Sequence, residues 1–229
     1  MDYESVDHKE AETLRETLNY HVDEVSLLQR VLGDYLPAFA ALDGYRIQDQ
    51  SEELILALLI KAFNSLKCAH DLLLKGHYGQ CLTLVRTVEE DWLTCIYVNK
   101  HREKAKLWLK GRRTPSFACM RLDLDEDFRK KVAESYGILS TFAHPRLRSI
   151  VVSMDREPGN ISLRLGGKYD RDHFTAAIYS MIGSATDLLG IPAIFLHEKE
   201  PAWFAQINDT QAVVIKWLRK VNEDVKAKA

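Results

Sequence analysis

The most constraining feature of this sequence is a pair of long apolar stretches, 51–75 and 78–98, separated by a short Lys-Gly turn. The first stretch begins with Ser51 as the predicted N-cap and two glutamates at the positive end of the helix dipole. Apolar residues then run almost all round the helix, which is typical of a central helix. Gly76 predicts its C-terminal end. The two stretches therefore predict the helical core of the molecule.

Further helices are predicted on both sides of this core. Apolar residues at helical spacing predict a helix over about 5–32 and a core bundle over about 50–144. Two β-branched runs around a Pro-Gly turn predict a β-hairpin over about 149–165, and helical patterns resume over about 170–226. The prediction is a mostly α fold, a single domain over 1–229, with a helical bundle of about six to seven helices and one β-hairpin.

Charge and composition restrict the classes of function. The net charge is −2, so binding to nucleic acid would need a local cluster of basic residues. The four cysteines form no CxxC pair, and a chain of 229 residues can bury a large core without disulfides. The acidic N-terminus is unlike a signal peptide, and the longest apolar run, Leu54–Ile60, is too short to span a bilayer. We therefore expect a soluble cytoplasmic protein without a membrane partner.

The helix predicted over residues 78–98 carries a carboxylate in an unusual place. On a helical wheel, Glu89 falls near the middle of the apolar arc, and Arg86 lies at its edge. A carboxylate there costs several kcal/mol unless it is paired or hydrogen-bonded, and Arg86 is the nearest partner, three residues away. Two interpretations remain open: a structural Arg86–Glu89 pair that fixes how the helices meet, or a pair that points into a groove.

A second polar stripe lies on the helix predicted over residues 126–144. Tyr136, Ser140 and His144 are spaced one helical turn apart, and the proline after His144 ends the helix. His144 therefore lies where the helix dipole favours a cationic imidazolium. It is either a cap of its own helix or an acid/base group, with Arg146 and Arg148 neutralising a phosphate.

Two segments and the predicted hairpin carry a resemblance to a known family. The segments are GHYGQCLTLVRTVEEDWLTCIYV (76–98) and YGILSTFAHPRLRSIVV (136–152). They resemble the HEPN-like helical superfamily, most closely its uncharacterised bacterial branch with a β-hairpin after the His-Pro helix end. The resemblance implies a helical fold and a homodimer. Many members are metal-independent ribonucleases of toxin–antitoxin or phage-defence systems, and others are non-catalytic nucleotide-binding or scaffold modules.

The resemblance implies a protein that binds or cleaves RNA or nucleotides, without a metal or another cofactor. In the family's nucleases an arginine precedes the histidine on one helix; here that arginine is missing, and Arg86 is the candidate to replace it. The implied site comprises catalytic residues and residues that bind phosphate or nucleic acid. The catalytic residues are His144, Arg86 and Glu89, and the binding residues are Arg146, Arg148, Ser140 and Tyr136.

A non-catalytic interaction or scaffold protein is the competing hypothesis. In that case the Arg86–Glu89 pair and His144 serve packing only. The sequence contains no HExxH, EF-hand or Walker motif, so we predict no metal site.

The stretch over 100–113 is strongly basic, with seven lysines and arginines against a single glutamate. It can either follow a phosphate backbone or form a solvated helix face that acidic groups elsewhere balance.

Overall fold

A computed structural model of the protein describes residues 3–143, 154–157, 160–163, 166–197 and 199–228. Almost all of this part of the chain is α-helical, and the helices form a bundle around one apolar core. The mostly α fold class predicted from the sequence is therefore confirmed.

The first half of the chain contains the two longest core helices. The helices are α1 (Tyr3–Tyr20), α2 (Val22–Gly33), α3 (Tyr35–Leu42), α4 (Gln50–Leu74) and α5 (Tyr78–Lys100).

Shorter helices, a pair of strands and three further helices make up the second half. The elements are α6 (Ala105–Leu109), α7 (Phe117–Met120), α8 (Glu126–Ala143), β1 (Met154–Glu157), β2 (Asn160–Leu163), α9 (Arg171–Leu188), α10 (Gly190–Leu196) and α11 (Pro201–Lys228). Two 3₁₀ turns, Arg102–Lys104 and Arg121–Asp123, precede α6 and follow α7.

The described residues hold more helices than the six to seven that we predicted. The N-terminal helix is broken at His21, and the residues between the first predicted helix and the predicted core bundle include a further helix, α3. At the start of α4 the N-cap is Asp49 and not Ser51, because the Asp49 carboxylate accepts hydrogen bonds from the backbone N–H groups of Ser51 (2.8 Å) and Glu52 (3.1 Å). Local pattern thus predicted the long helices but missed the breaks and the short helices between them.

β1 and β2 are short and antiparallel, with Met154 opposite Leu163 and Glu157 opposite Asn160. Both lie inside the range predicted for the hairpin, whose other residues are outside the described part. The hairpin over the full range 149–165 stays a prediction.

The core is organised around α4 and α5, which pack against each other along their length. Gly76, with a φ of +81°, ends α4 and reverses the chain, and the backbone N–H of His77 bonds to the carbonyl of Leu72 (2.8 Å). Fully buried leucines fill the contact, among them Leu66 and Leu93. The sharp turn places the two apolar stretches of the sequence face to face.

The turn between α4 and α5 is covered by backbone from the segment that leads into α9. A Cβ on Gly167 would lie 1.5 Å from the carbonyl oxygen of Lys75, and a Cβ on Gly76 would lie 2.7 Å from the backbone of Lys168. α1 lies beside this crossing, where Glu10 bonds to Lys75 (3.1 Å) and His77 (2.8 Å). Both glycines are required for the two backbones to come this close.

α8 and α9 both pack on α5 and leave a cavity between them. Val132 and Leu139 anchor α8, whereas α9 contributes a fully buried row that includes Phe174, Ile178 and Met181. The segment 171–196, which comprises α9 and α10, is long and apolar enough to cross a membrane by length and composition alone. However, 56% of its most apolar window is buried inside the protein, as in a core helix. One such helix is weak evidence for a membrane span.

Candidate functional site

A cavity of about 450 Å³ lies between α5, α8 and α9. Its walls include Trp92 from α5, Phe128 from α8 and Tyr179 from α9, and the rings of Trp92 and Phe128 meet edge to face at 5.7 Å. Three small residues of α9, Ser180, Gly183 and Ser184, also line the cavity. The size and the aromatic walls are typical of a site for a small organic group.

Glu89 is the buried polar centre of this cavity. Its Oε1 accepts hydrogen bonds from Ser135 Oγ of α8 (2.5 Å) and Ser184 Oγ of α9 (3.3 Å). Its Oε2 is also buried, but it has no hydrogen-bond partner among the described residues. One carboxylate oxygen thus joins three helices, while the other leaves hydrogen-bonding capacity unused.

Burial raises the pKa of Glu89 to about 7, although the hydrogen bonds from Ser135 and Ser184 act in the opposite direction. Burial also raises the pKa of Asp187, at the cavity edge, to about 6. The pKa of Glu89 therefore lies closer to neutrality than that of Asp187. Near neutral pH the Glu89 carboxyl can therefore donate or accept a proton.

Arg86 does not pair with Glu89, so that expected contact is wrong. Its Nη2 instead donates to Glu90 Oε1 (3.0 Å) and to the hydroxyl of Tyr136 (2.7 Å), with the guanidinium 4.9 Å from the Tyr136 ring centre. Glu90 lies one full turn after Arg86 on the polar arc, where i to i+4 pairing is favoured. Glu89 is held by Ser135 and Ser184, which sequence spacing on a single helix could not reveal.

Tyr136 fixes the position of Arg86 from the opposite helix. Its hydroxyl donates to Glu90 Oε1 (2.6 Å), and its ring stacks on Phe117 at 3.7 Å between centres. Neighbouring residues of α5, Glu89 and Glu90, therefore contact neighbouring residues of α8, Ser135 and Tyr136. The Glu89–Ser135 contact and the Glu90–Tyr136 contact lie side by side along the interface of α5 and α8.

Two buried polar atoms, one on α5 and one on α8, lack partners within the described part of the chain. They are Arg86 Nε and Ser140 Oγ. Ser140 lies one turn beyond Tyr136 on α8, on the stripe that the sequence predicted. Buried polar atoms without a protein partner are unusual, and both atoms can form a further hydrogen bond.

His144, Arg146 and Arg148 lie outside the described residues, as does the whole of 144–150. α8 ends at Ala143, so Tyr136 and Ser140 occupy its last two turns, immediately before His144. The structure brings together Arg86 and Tyr136 from the predicted set and places Glu89 in a separate cavity beside them.

Two of the seven basic residues over 100–113, Lys100 and Arg102, form ion pairs with neighbouring elements. Arg102 contacts Asp49 (2.6 Å) and Glu52 (3.2 Å), and Lys100 lies 3.7 Å from Asp123. These contacts attach the end of α5 to the start of α4 and to the turn before α8, which supports a structural role for this end of the stretch.

Sequence reasoning missed the contributions of α9. Ser184 and Asp187 are spaced like one face of a helix, but their approach to Glu89 depends on how α9 packs across α5. Within the described ranges, no group of three or more histidine, cysteine, aspartate or glutamate side chains could hold a metal ion.

Comparisons with known proteins identify no relative. No protein-family model, no curated protein and no solved structure matches the chain.

Proposed function

We propose that this protein is a HEPN-like ribonuclease of the bacterial cytoplasm, acting as a homodimer in a toxin–antitoxin or defence setting and without a metal. The observation that carries the proposal is the position of Arg86. Its guanidinium is held between α5 and α8, it is about one-fifth exposed, and its Nε is buried without a partner in the described part of the chain.

The interface of α5 and α8 is suited to hold a phosphate group. Arginine binds phosphate through several parallel N–H groups, and the Nε donor of Arg86 is still unused within the described part of the chain. Glu90 and Tyr136 hold the guanidinium in place before a ligand arrives. A phosphate bound here would contact α8 near Tyr136, about two helical turns before His144 in the sequence.

Metal-independent RNA cleavage needs a base, an acid and a cation. The ribose 2′-oxygen attacks phosphorus while its proton passes to the base. The bond from phosphorus to the 5′-oxygen breaks, and the acid protonates the leaving oxygen. The products are a 2′,3′-cyclic phosphate and a 5′-hydroxyl. We assign one of the proton transfers to His144, and stabilisation of the charged phosphorane to Arg86 with Arg146 and Arg148.

A non-catalytic scaffold is the second candidate, and one observation favours it. Arg86, Glu90 and Tyr136 satisfy one another across α5 and α8, as in a structural ion pair with a tyrosine bridge. In that case the His-Pro helix end serves as a cap, and the protein acts through its surface.

The test is RNA binding and cleavage in EDTA by the wild type, Arg86→Ala and His144→Ala. Lys130→Ala is the matched control, because Lys130 is an exposed basic residue of α8 whose ion pair is with Glu126. We expect cyclic-phosphate products from the wild type and the control, at least a hundredfold less from His144→Ala, and weaker binding by Arg86→Ala. If the wild type neither binds nor cuts RNA, the ribonuclease proposal is rejected and the scaffold function remains.

The proposed homodimer is checked by sedimentation equilibrium of the full chain. A mass of twice 26.3 kDa at micromolar concentration is the expected result. A monomer that still cuts RNA would show that one chain carries a complete site.

A further inference from the structure

We propose that the cavity between α5, α8 and α9 binds a nucleobase, with the Glu89 carboxyl hydrogen-bonding to the polar edge of the planar ring. This inference deepens the proposed function and rests on it for the nature of the ligand. It concerns a different place, however, because Arg86, Tyr136 and Ser140 are not among the residues that line the cavity.

Glu89, which lines the cavity, has unused hydrogen-bonding capacity. The hydrogen bonds from Ser135 and Ser184 to Oε1 fix the plane of the carboxyl group and leave the buried Oε2 without a partner in the described ranges. A group fixed in this way offers an acceptor when ionised and a donor when protonated. The amino and imino groups and ring nitrogens of nucleobases match both states.

The walls of the cavity carry aromatic side chains. Trp92, Phe128 and Tyr179 come from three different helices and provide aromatic surface around the carboxyl group. A cavity of about 450 Å³ has room for a single planar ring system. Aromatic side chains bind bases through their π-faces, and a neighbouring hydrogen-bonding group provides selectivity.

The ionisable side chains that line the cavity are mostly acidic. Asp187 and Glu134 line the cavity together with Glu89, and Lys131 provides the one basic side chain among its described lining residues. Three carboxyl groups disfavour a phosphate inside. The base would therefore enter the cavity while its phosphate stays outside, and Arg86 belongs to the same helix one turn before Glu89.

The open space at Gly183 offers a way to test binding in the cavity. A Cβ placed on this residue meets no described atom within 4 Å, although Gly183 lies within α9 and lines the cavity. A larger side chain can therefore be introduced here to fill the cavity without disturbing the backbone. This position provides a test that does not alter Glu89.

Binding is measured by calorimetry on the full chain with adenosine, guanosine, cytidine and uridine as free ligands. A ten-nucleotide RNA and its counterpart with one abasic position represent a base within a strand. We expect one nucleoside to bind with a dissociation constant below about 1 mM and the other three at least fivefold more weakly. Preference for intact over abasic RNA would identify a strand as the source of the base.

Three variants locate the binding. Glu89→Gln should weaken the preferred nucleoside at least tenfold or change which nucleoside is preferred, and Gly183→Leu should abolish binding. Glu126→Gln, an exposed acid of α8 outside the cavity, is the matched control and should bind as the wild type does. Circular dichroism at the working temperature verifies that each variant is folded.

Several results would overturn the inference. They are the absence of nucleoside binding at 5 mM, unchanged binding by Gly183→Leu, and tight binding of benzylamine without binding of any nucleoside. RNA cleavage without nucleoside binding would reject the cavity and retain the proposed function. Nucleoside binding without RNA cleavage would retain the cavity as a nucleobase site and reject the proposed ribonuclease function.

Discussion

At the scale of single residues, Glu89 holds a proton under conditions in which an exposed glutamate has lost it. The folded protein raises the pKa of Glu89 to about 7 from an ordinary value of 4.5, because the group is buried. Between these values the folded state keeps a proton that the unfolded state has released. The free energy of unfolding therefore falls as the pH rises from 4.5 to 7, by up to about 3 kcal/mol.

Glu89→Gln is expected to remove this pH dependence, since glutamine does not titrate. Urea unfolding of both proteins at pH 4.5, 6 and 7.5 measures the effect, and the variant should gain on the wild type as the pH rises. Asp187 adds a fall of the same sign below pH 6 in both proteins, and Lys131, Glu134 and Glu90 are the other charged groups around Glu89. Parallel curves would contradict a buried, protonated Glu89.

Tyr136→Phe tests the contact that holds Arg86. The substitution keeps the ring that stacks on Phe117 but removes the hydroxyl that bonds to Arg86 and Glu90. We expect a loss of about 1 kcal/mol in the free energy of unfolding. In a double-mutant cycle with Arg86→Ala, a coupling energy near zero would show that the hydroxyl and the guanidinium act independently.

At the scale of elements, most helices follow from local pattern, whereas their ends depend on contacts that are distant in sequence. The periodicity of 51–75 and 78–98 predicts α4 and α5 well because each buries a broad apolar surface. The break at His21 was not predicted. His21 is buried against Phe174 and its ring bonds to Tyr169 (3.0 Å), and Tyr169 lies 148 residues away in the sequence.

The start of α4 gives a prediction about capping. Asp49 caps the helix and also binds Arg102 (2.6 Å), so two contributions meet in one carboxylate. Asp49→Ala should lower the free energy of unfolding by about 1–2 kcal/mol. Asp49→Asn is the matched control, because asparagine is an equally good cap that lacks the charge, and it should lose less. Equal losses in thermal or urea unfolding would assign the whole effect to the ion pair.

The candidate site shows the same division between local and distant information. Arg86, Glu89, Tyr136 and Ser140 were identified from helical spacing alone, and the structure places the first three at the interfaces around α5. Their partners were not predicted correctly, because Ser184 comes from α9, whose position across α5 has no signal in the sequence of either helix.

At the scale of the whole molecule, the crossing of Gly167 over the α4–α5 turn joins the N-terminal half of the bundle to α9. Gly167→Ala would place a methyl group 1.5 Å from the carbonyl oxygen of Lys75, so the two backbones must separate. We expect a loss of at least 3 kcal/mol or a failure to fold, in line with severe backbone strain. Gly33→Ala, where a Cβ meets no described atom within 4 Å, is the control and should unfold as the wild type does.

The same crossing has an evolutionary consequence. The side chains around the Glu89 cavity can change with the ligand, and surface charges can drift, but no residue with a side chain fits at Gly76 or Gly167 while the two backbones touch. We therefore expect distant homologues with this architecture to keep both glycines even where the rest of their sequences has diverged. A pair of invariant glycines, one after the first core helix and one before α9, would be the most durable signature of the lineage.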